Sequence, residues 1–136
     1  MNSTTTYLHF NGNCRSAMNF YRDCFGGELE VTAYPDAAGT PNTDPNAPVM
    51  HSKIARGGQA LLMASDAPAG SNGPSQRSGC SVFIDCSSNG ELDKLFTALS
   101  RDGQVTVPPS DMPNGRFGMC DDSFGISWIL NCAKAS

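Results

Sequence analysis

The chain has 136 residues, with 9 Lys and Arg against 13 Asp and Glu, a formal net charge of −4 and 39% hydrophobic residues. That length suits one domain with a real core and is too short for two ordinary ones, and the acidic balance excludes the electrostatic footprint of a nucleic-acid or anionic-membrane binder. No apolar run approaches the ~20 residues of a membrane span, and the polar start from Met1 to Thr6 lacks the charged and apolar regions of a signal peptide, so a soluble cytoplasmic protein is expected.

In chain order, "YLHF" (Tyr7 to Phe10) reads as a strand, and Asn11-Gly12-Asn13 is turn chemistry with Asn13 as the expected helix N-cap. Ala17, Phe20, Tyr21, Cys24 and Phe25 then recur at i, i+3, i+4, i+7 and i+8, one apolar helical face, and Gly26-Gly27 stops the helix. "ELEV" (Glu28 to Val31) alternates as the next strand. Pro35 to Pro48 is rich in Pro, Asn, Asp and Gly and reads as a long loop, either exposed or closing over a pocket. "HSKIARGGQALLMASD" reads as two strands joined at Gly57-Gly58. Asp66 to Ser78 reads as a linker.

The second half repeats this order. "CSVFID" (Cys80 to Asp85) is a strand, Ser88 and Glu91 form a capping box, and Leu92, Leu95, Phe96 and Leu99 give the helical stripe. Gly103 is the stop and "QVTV" the following strand. "RFGMCDDSFGISWILNC" supplies two more, joined through a turn from Asp121 to Gly125. The passages superpose at an offset of about 75 residues, setting Tyr7-Leu8-His9-Phe10 on Val82-Phe83-Ile84-Asp85. The fold class expected is therefore α+β: one domain of two β-α-β-β-β modules, about residues 4–65 and 79–132, joined by the Pro/Gly/Ser-rich linker.

The six cysteines, at 14, 24, 80, 86, 120 and 132, include no C-x-x-C pair and read as free thiols. Cys80, Cys86, Cys120 and Cys132 fall in predicted strands as small buried hydrophobes. Cys14, at a helix N-terminus, is the one position where a lowered pKa is conceivable.

Paired β-α-β-β-β modules with "YLHFNGNCRSAMNFYRDCFGGE", "VMHSKI", "LLMASD" and "RFGMCDDSFGISWILN" resemble the PhnB-like branch of the vicinal oxygen chelate superfamily, the glyoxalase, bleomycin-resistance and extradiol dioxygenase fold. The resemblance implies a curved mixed sheet around a cleft and, in the superfamily's enzymes, a divalent metal held from the first and fourth strands of each module. It also implies a homodimer. Some members of the branch carry a demethylubiquinone methyltransferase label, but no Gly-rich nucleotide-type loop follows a strand here. The family spacing carries the ligand positions onto Thr6, Ser81, Leu62 and Ile129, a poor set of donors for a metal.

The expectation is thus a small organic molecule bound, and in one version transformed, in the cavity with no cofactor. Strand parity from Thr6 names Thr6, Leu8, Phe10, Leu62, Ser81, Phe83 and Ile129 as pocket-facing and turns His9 toward the helix. Arg116 is a candidate for holding an anionic group at the mouth. His51 is the best general base available if it reaches the pocket. Trp128 reads as core or cavity wall, and Met50, Met63 and Met119 as packing. One rival is a metal-dependent lyase or dioxygenase with His9, His51 and Glu28 as a displaced ligand set. The other is a sequestering module with an apolar cleft and no catalytic donor.

Overall fold

A computed structural model describes residues 1–68 and 79–134. The chain divides into two compact units, Met1–Gln76 and Arg77–Ser136. Within the first, β1 (Tyr7–Phe10), α1 (Cys14–Phe25), β2 (Glu28–Ala33), β3 (Val49–Arg56) and β4 (Gln59–Asp66) build a four-stranded sheet of order β1-β4-β3-β2. Only the β1–β4 pair is parallel, because α1 and β2 carry the chain across the sheet before it returns. The second unit has the same order in β5 (Val82–Asp85), α2 (Asn89–Leu99), β6 (Gln104–Met112), β7 (Gly115–Asp121) and β8 (Ser127–Ala133), with sheet order β5-β8-β7-β6. This is the repeated β-α-β-β-β plan. Residues 69–78 of the predicted linker lie outside the described residues.

Each helix covers one face of its own sheet. In the first unit Cys14, Ala17, Met18 and Tyr21 of α1 are buried, and the Cys14 thiol lies 3.6 Å from Ser52 Oγ on β3. Ser52 pairs with Ala64, which pairs with Leu8, so that row defines the helix side. In the second unit Leu92, Phe96 and Leu99 of α2 are buried, and a Cβ on Gly118 would stand 2.9 Å from the Phe96 ring, which puts Gly118, Leu130 and Ile84 on the helix side. Burying these side chains supplies roughly 1.5–3 kcal/mol each for the larger ones.

The helix ends are secured differently. Asn13 makes no side-chain cap bond; instead Asp66, at the end of β4, accepts from the N–H groups of Gly12 and Cys14. The second helix forms one half of the predicted box, Ser88 Oγ accepting from Glu91 N at 3.0 Å, while Glu91 Oε1 accepts from Ser87 N, one residue ahead of the cap, at 3.0 Å. Asp122 makes the predicted turn, its Oδ1 accepting from Phe124 N and Ile126 N while Oδ2 accepts from the buried Trp128 Nε1 at 2.7 Å. Trp128 is therefore core. The stretch from 35 to 48 is drawn down at its end, where Ala47 is buried and its carbonyl accepts from Arg15. Cys80 lies ahead of β5 and is exposed, whereas Cys86, Cys120 and Cys132 are buried as expected. No helix among the described residues is long and apolar enough to cross a membrane.

Candidate functional site

The rows of the first sheet decide which side chains are offered to a ligand. With Leu8, Phe10 and Leu62 at 7%, 1% and 2% exposure, the even-numbered side of β1 and β4 is the covered one. This corrects the expected parity. Leu8, Phe10 and Leu62 are core beneath α1, Thr6 shares their side at the strand's start, and His9 stands on the open side with Tyr7 and His51. A one-residue error of face moves a whole strand's side chains across the sheet. It arose because strand and helix do not share one repeat offset: Leu8 and Phe10 correspond to Ile84 and Cys86, Ala17 and Tyr21 to Leu92 and Phe96, so the path from strand to helix is one residue longer in the first unit.

On that open side three rings meet. The Tyr7 hydroxyl lies 3.1 Å from His51 Nδ1, the two rings stack at 5.7 Å between centroids, and the His9 ring tilts against Tyr7 at 5.2 Å. All three residues are exposed. β1 carries Tyr7 and His9 two residues apart on one face, and β3, two strands away, brings His51 alongside. Next to them, Tyr7 pairs with Met63, Met63 with Lys53, and Lys53 with Glu30, the last two forming an ion pair at 3.5 Å. Both histidines of the chain thus share one site, with His9 on the open side and not, as expected, toward the helix.

Chemically the trio offers hydrogen-bonding nitrogen and oxygen atoms on stacked, planar surfaces. The Tyr7–His51 bond has two senses. With a lone pair on Nδ1, the tyrosine donates to histidine and presents oxygen lone pairs outward; with a proton on Nδ1, the histidine donates and the phenol hydrogen is free for a ligand. The pair is an adaptable donor or acceptor.

A divalent metal does not fit the residues here. Leu62 is buried and apolar, Ile129 is apolar, and Thr6 and Ser81 are weak donors. The displaced set fails as well, since Glu28 lies four residues along β2 from Thr32, the partner of His51, about 13 Å at strand rise. Among the described residues no three His, Cys, Asp or Glu side chains gather as a metal site. A nucleotide-type cofactor is likewise unsuited to the β1–α1 turn, where the Gly12 and Cys14 N–H groups are already bonded to Asp66.

The second unit distributes its candidates differently. Phe83 and Ile129 pair across β5 and β8 on the open side of that sheet, where Phe83 is 59% exposed; Ser81, just ahead of β5, is also exposed. Arg116 lies on the helix side. Its Nε donates to Asp93 at 2.8 Å and its Nη1 to Asp111 at 2.9 Å, and these bonds, Asp93 first, push its pKa further up. Already engaged by two carboxylates, Arg116 is a link between α2 and β6, which corrects its assignment as an anion holder. Cys14 is no activated nucleophile either: burial pushes its thiol up to about 11, Ser52 opposing and Asp66 adding to the rise.

Tyr7 and Asp66 are the residues that sequence reasoning passed over. The Tyr-x-His spacing on one strand was the available signal for the first. For the second there was none, because its partners are 17 to 54 residues away.

A family model described as 3-demethylubiquinone-9 3-methyltransferase matches residues 2–131. Among solved structures, the protein PA1353 from Pseudomonas aeruginosa is 34% identical, with a TM-score of 0.82 over 99% of this chain and 100% of that one. A PhnB protein from Bacillus cereus, called a putative 3-demethylubiquinone-9 3-methyltransferase, is 28% identical with a TM-score of 0.75 over 97% and 100%. A glyoxalase/bleomycin resistance protein/dioxygenase family enzyme from Burkholderia phytofirmans, 10% identical, shares the fold at a TM-score of 0.61 over 96% and 97%.

Proposed function

The chain belongs to the family described as 3-demethylubiquinone-9 3-methyltransferase, the PhnB-like branch of the vicinal oxygen chelate superfamily, and on that premise we propose that it binds a small organic molecule, without a resident metal, on the face shared by Tyr7, His9 and His51. The observation that carries this reading is the exposed, stacked Tyr7–His51 hydrogen bond at 3.1 Å. A tyrosine and two histidines on one sheet face are well suited to a planar ligand bearing a hydroxyl, carbonyl or carboxylate oxygen. Transformation of that ligand would use His51 and Tyr7 as the proton-transferring pair. Methyl transfer has no support in the β1–α1 turn, whose amides are taken.

A second reading is favoured by Phe83. An aromatic side chain 59% exposed beside Ile129 suits a sequestering module that holds an apolar molecule with no catalytic group. In both readings the working form is a cytoplasmic homodimer, and the dimer is supported by the exposed Phe83 on the open side of the second sheet.

The test is thermal unfolding of the chelator-free protein against a panel of planar phenols, enols and carboxylates and against Zn, Ni, Mn and Fe salts, since whatever binds only the folded state raises the melting temperature. A hit from the organic panel whose affinity falls about tenfold in Tyr7→Phe and in His51→Gln, roughly the value of one hydrogen bond, is the expected result. Hits indifferent to both substitutions but lost in Phe83→Ser favour sequestration. Stabilisation by a metal that His9→Ala or His51→Ala abolishes overturns the metal-free reading.

A further inference from the structure

Of the six thiols, two stand side by side. β5 and β8 run parallel with Ile84 opposite Leu130 and Asp85 opposite Asn131, and the Cys86 N–H still donates to the Asn131 carbonyl at 2.7 Å. The next pair in this register is Cys86 with Cys132. Both lie on the helix side of the sheet with Ile84 and Leu130, and both are buried, at 5% and 7% exposure. Neighbouring strands are about 4.8 Å apart, inside the roughly 4.4–6.8 Å between Cα atoms that a disulfide spans. Cys86 is one residue past the end of β5, so the ladder does not hold it as it holds a mid-strand residue.

Access comes from the other thiol. Cys132 lines an open groove of about 480 Å³ together with Ser87, Asn89, Asp111, Met112 and Lys134. Its thiol makes one weak contact, to the Ala133 carbonyl at 3.8 Å, which leaves the sulfur free to react. The two residues thus differ in surroundings: Cys132 is part of the groove's lining and Cys86 is not.

We propose that Cys86 and Cys132 are a reversible dithiol–disulfide couple, oxidised through this groove by a hydroperoxide. The Cys132 thiolate attacks the peroxide oxygen; the O–O bond breaks, the departing oxygen leaves as water or alcohol with a proton, and Cys132 becomes a sulfenic acid. The Cys86 sulfur then attacks the Cys132 sulfur, the S–S bond forms, the S–O bond breaks, and the hydroxyl leaves as water with the Cys86 proton. Two thiols lose two electrons and the peroxide gains them. Burial, and then Glu91, hold the Cys86 thiol up at about 11, so it is not the thiol that meets the peroxide; its place beside Cys132 in the register, not its acidity, makes it the resolving partner. The bond would join the end of β5 to β8 directly ahead of the Ser88 cap of α2.

The experiment exposes the folded wild-type chain to hydrogen peroxide, alkylates remaining thiols and maps the peptides by mass spectrometry. A Cys86–Cys132 cross-linked peptide, removed by dithiothreitol and accompanied by a reversible rise in melting temperature, is expected. In Cys86→Ser, Cys132 should stop at the sulfenic acid and be captured by dimedone; in Cys132→Ser, residue 86 should stay reduced. Cys86 and Cys132 both alkylated after peroxide has consumed the exposed Cys80, or cross-linked only to other cysteines, overturns the proposal. The wild-type map decides even if a variant fails to fold.

Discussion

Asp66 bears more of the first unit than any residue near it in sequence suggests. One oxygen takes the Gly12 and Cys14 N–H groups at 2.8 and 3.0 Å, the other takes the Val49 N–H at 2.9 Å, and its carbonyl accepts from Tyr34. The carboxylate therefore caps α1 and fixes the start of β3 at once. Asp66→Ala strands three N–H groups in a site 2% exposed, and a loss of about 3 kcal/mol or more is expected from urea unfolding, with Asp66→Asn intermediate. The buried thiols make a second prediction at this scale. Cys14, Cys86 and Cys120 are each raised from 9.0 to about 11, chiefly by burial. Between those values the unfolded chain has released protons that the folded chain retains, so stability is intact below about pH 9 and falls as pH rises toward 11, by about 1 kcal/mol per thiol at pH 10. Urea midpoints at pH 8 and 10 check this, and Cys14→Ser should flatten the difference by its own share.

Elements were more legible than faces. Both helices and the strand order follow from periods of 3.6 and 2 and, for α1, from its glycine stop, because those signals are local. Gly103 illustrates a local signal with another cause. Expected as the stop of α2, it is not one: the helix ends at Leu99 with Ser100 as its cap and Asp102 takes the left-handed φ of 58°, while a Cβ on Gly103 would run into the Asp121 carbonyl and the Asp122 backbone, where β6 begins against the end of β7. Since the obstacle is backbone, Gly103→Ala should cost about 2 kcal/mol or more, seen as a lower melting temperature with unchanged helix content. What the pattern hid was register. The candidate site turned over because one residue more separates strand from helix in the first unit, which put Leu8 inside and His9 outside. In the second unit the shorter path leaves Phe83 and Ile129 on the open side. The Tyr7–His51 bond and the Cys86–Cys132 adjacency join residues dozens of positions apart through β4 and β8, and no periodicity within a strand carries that information.

At the scale of the whole molecule, the two units repeat a plan but not a surface. One open sheet face presents Tyr7, His9 and His51 with the Lys53–Glu30 ion pair; the other presents Phe83, Ile129 and Met119. A polar aromatic face tolerates water through its hydrogen bonds, whereas a phenylalanine 59% exposed has none to offer and gains only by being covered. A ligand and a second copy of the chain are the two covers proposed for it, and mass separates them. Light scattering across a dilution series should give about twice the 14.4 kDa of one chain, as expected of a homodimer. If Phe83 lies in the contact, Phe83→Ser shifts the series toward the monomer mass, because removing a buried aromatic anchor costs an interface roughly 2 kcal/mol or more. If Phe83 serves a ligand, the variant keeps the wild-type mass at every dilution and loses stabilisation by apolar compounds alone. A monomer mass for the wild type throughout would remove the dimer, and the loss of stabilisation by apolar compounds in Phe83→Ser would then decide whether this face serves a ligand.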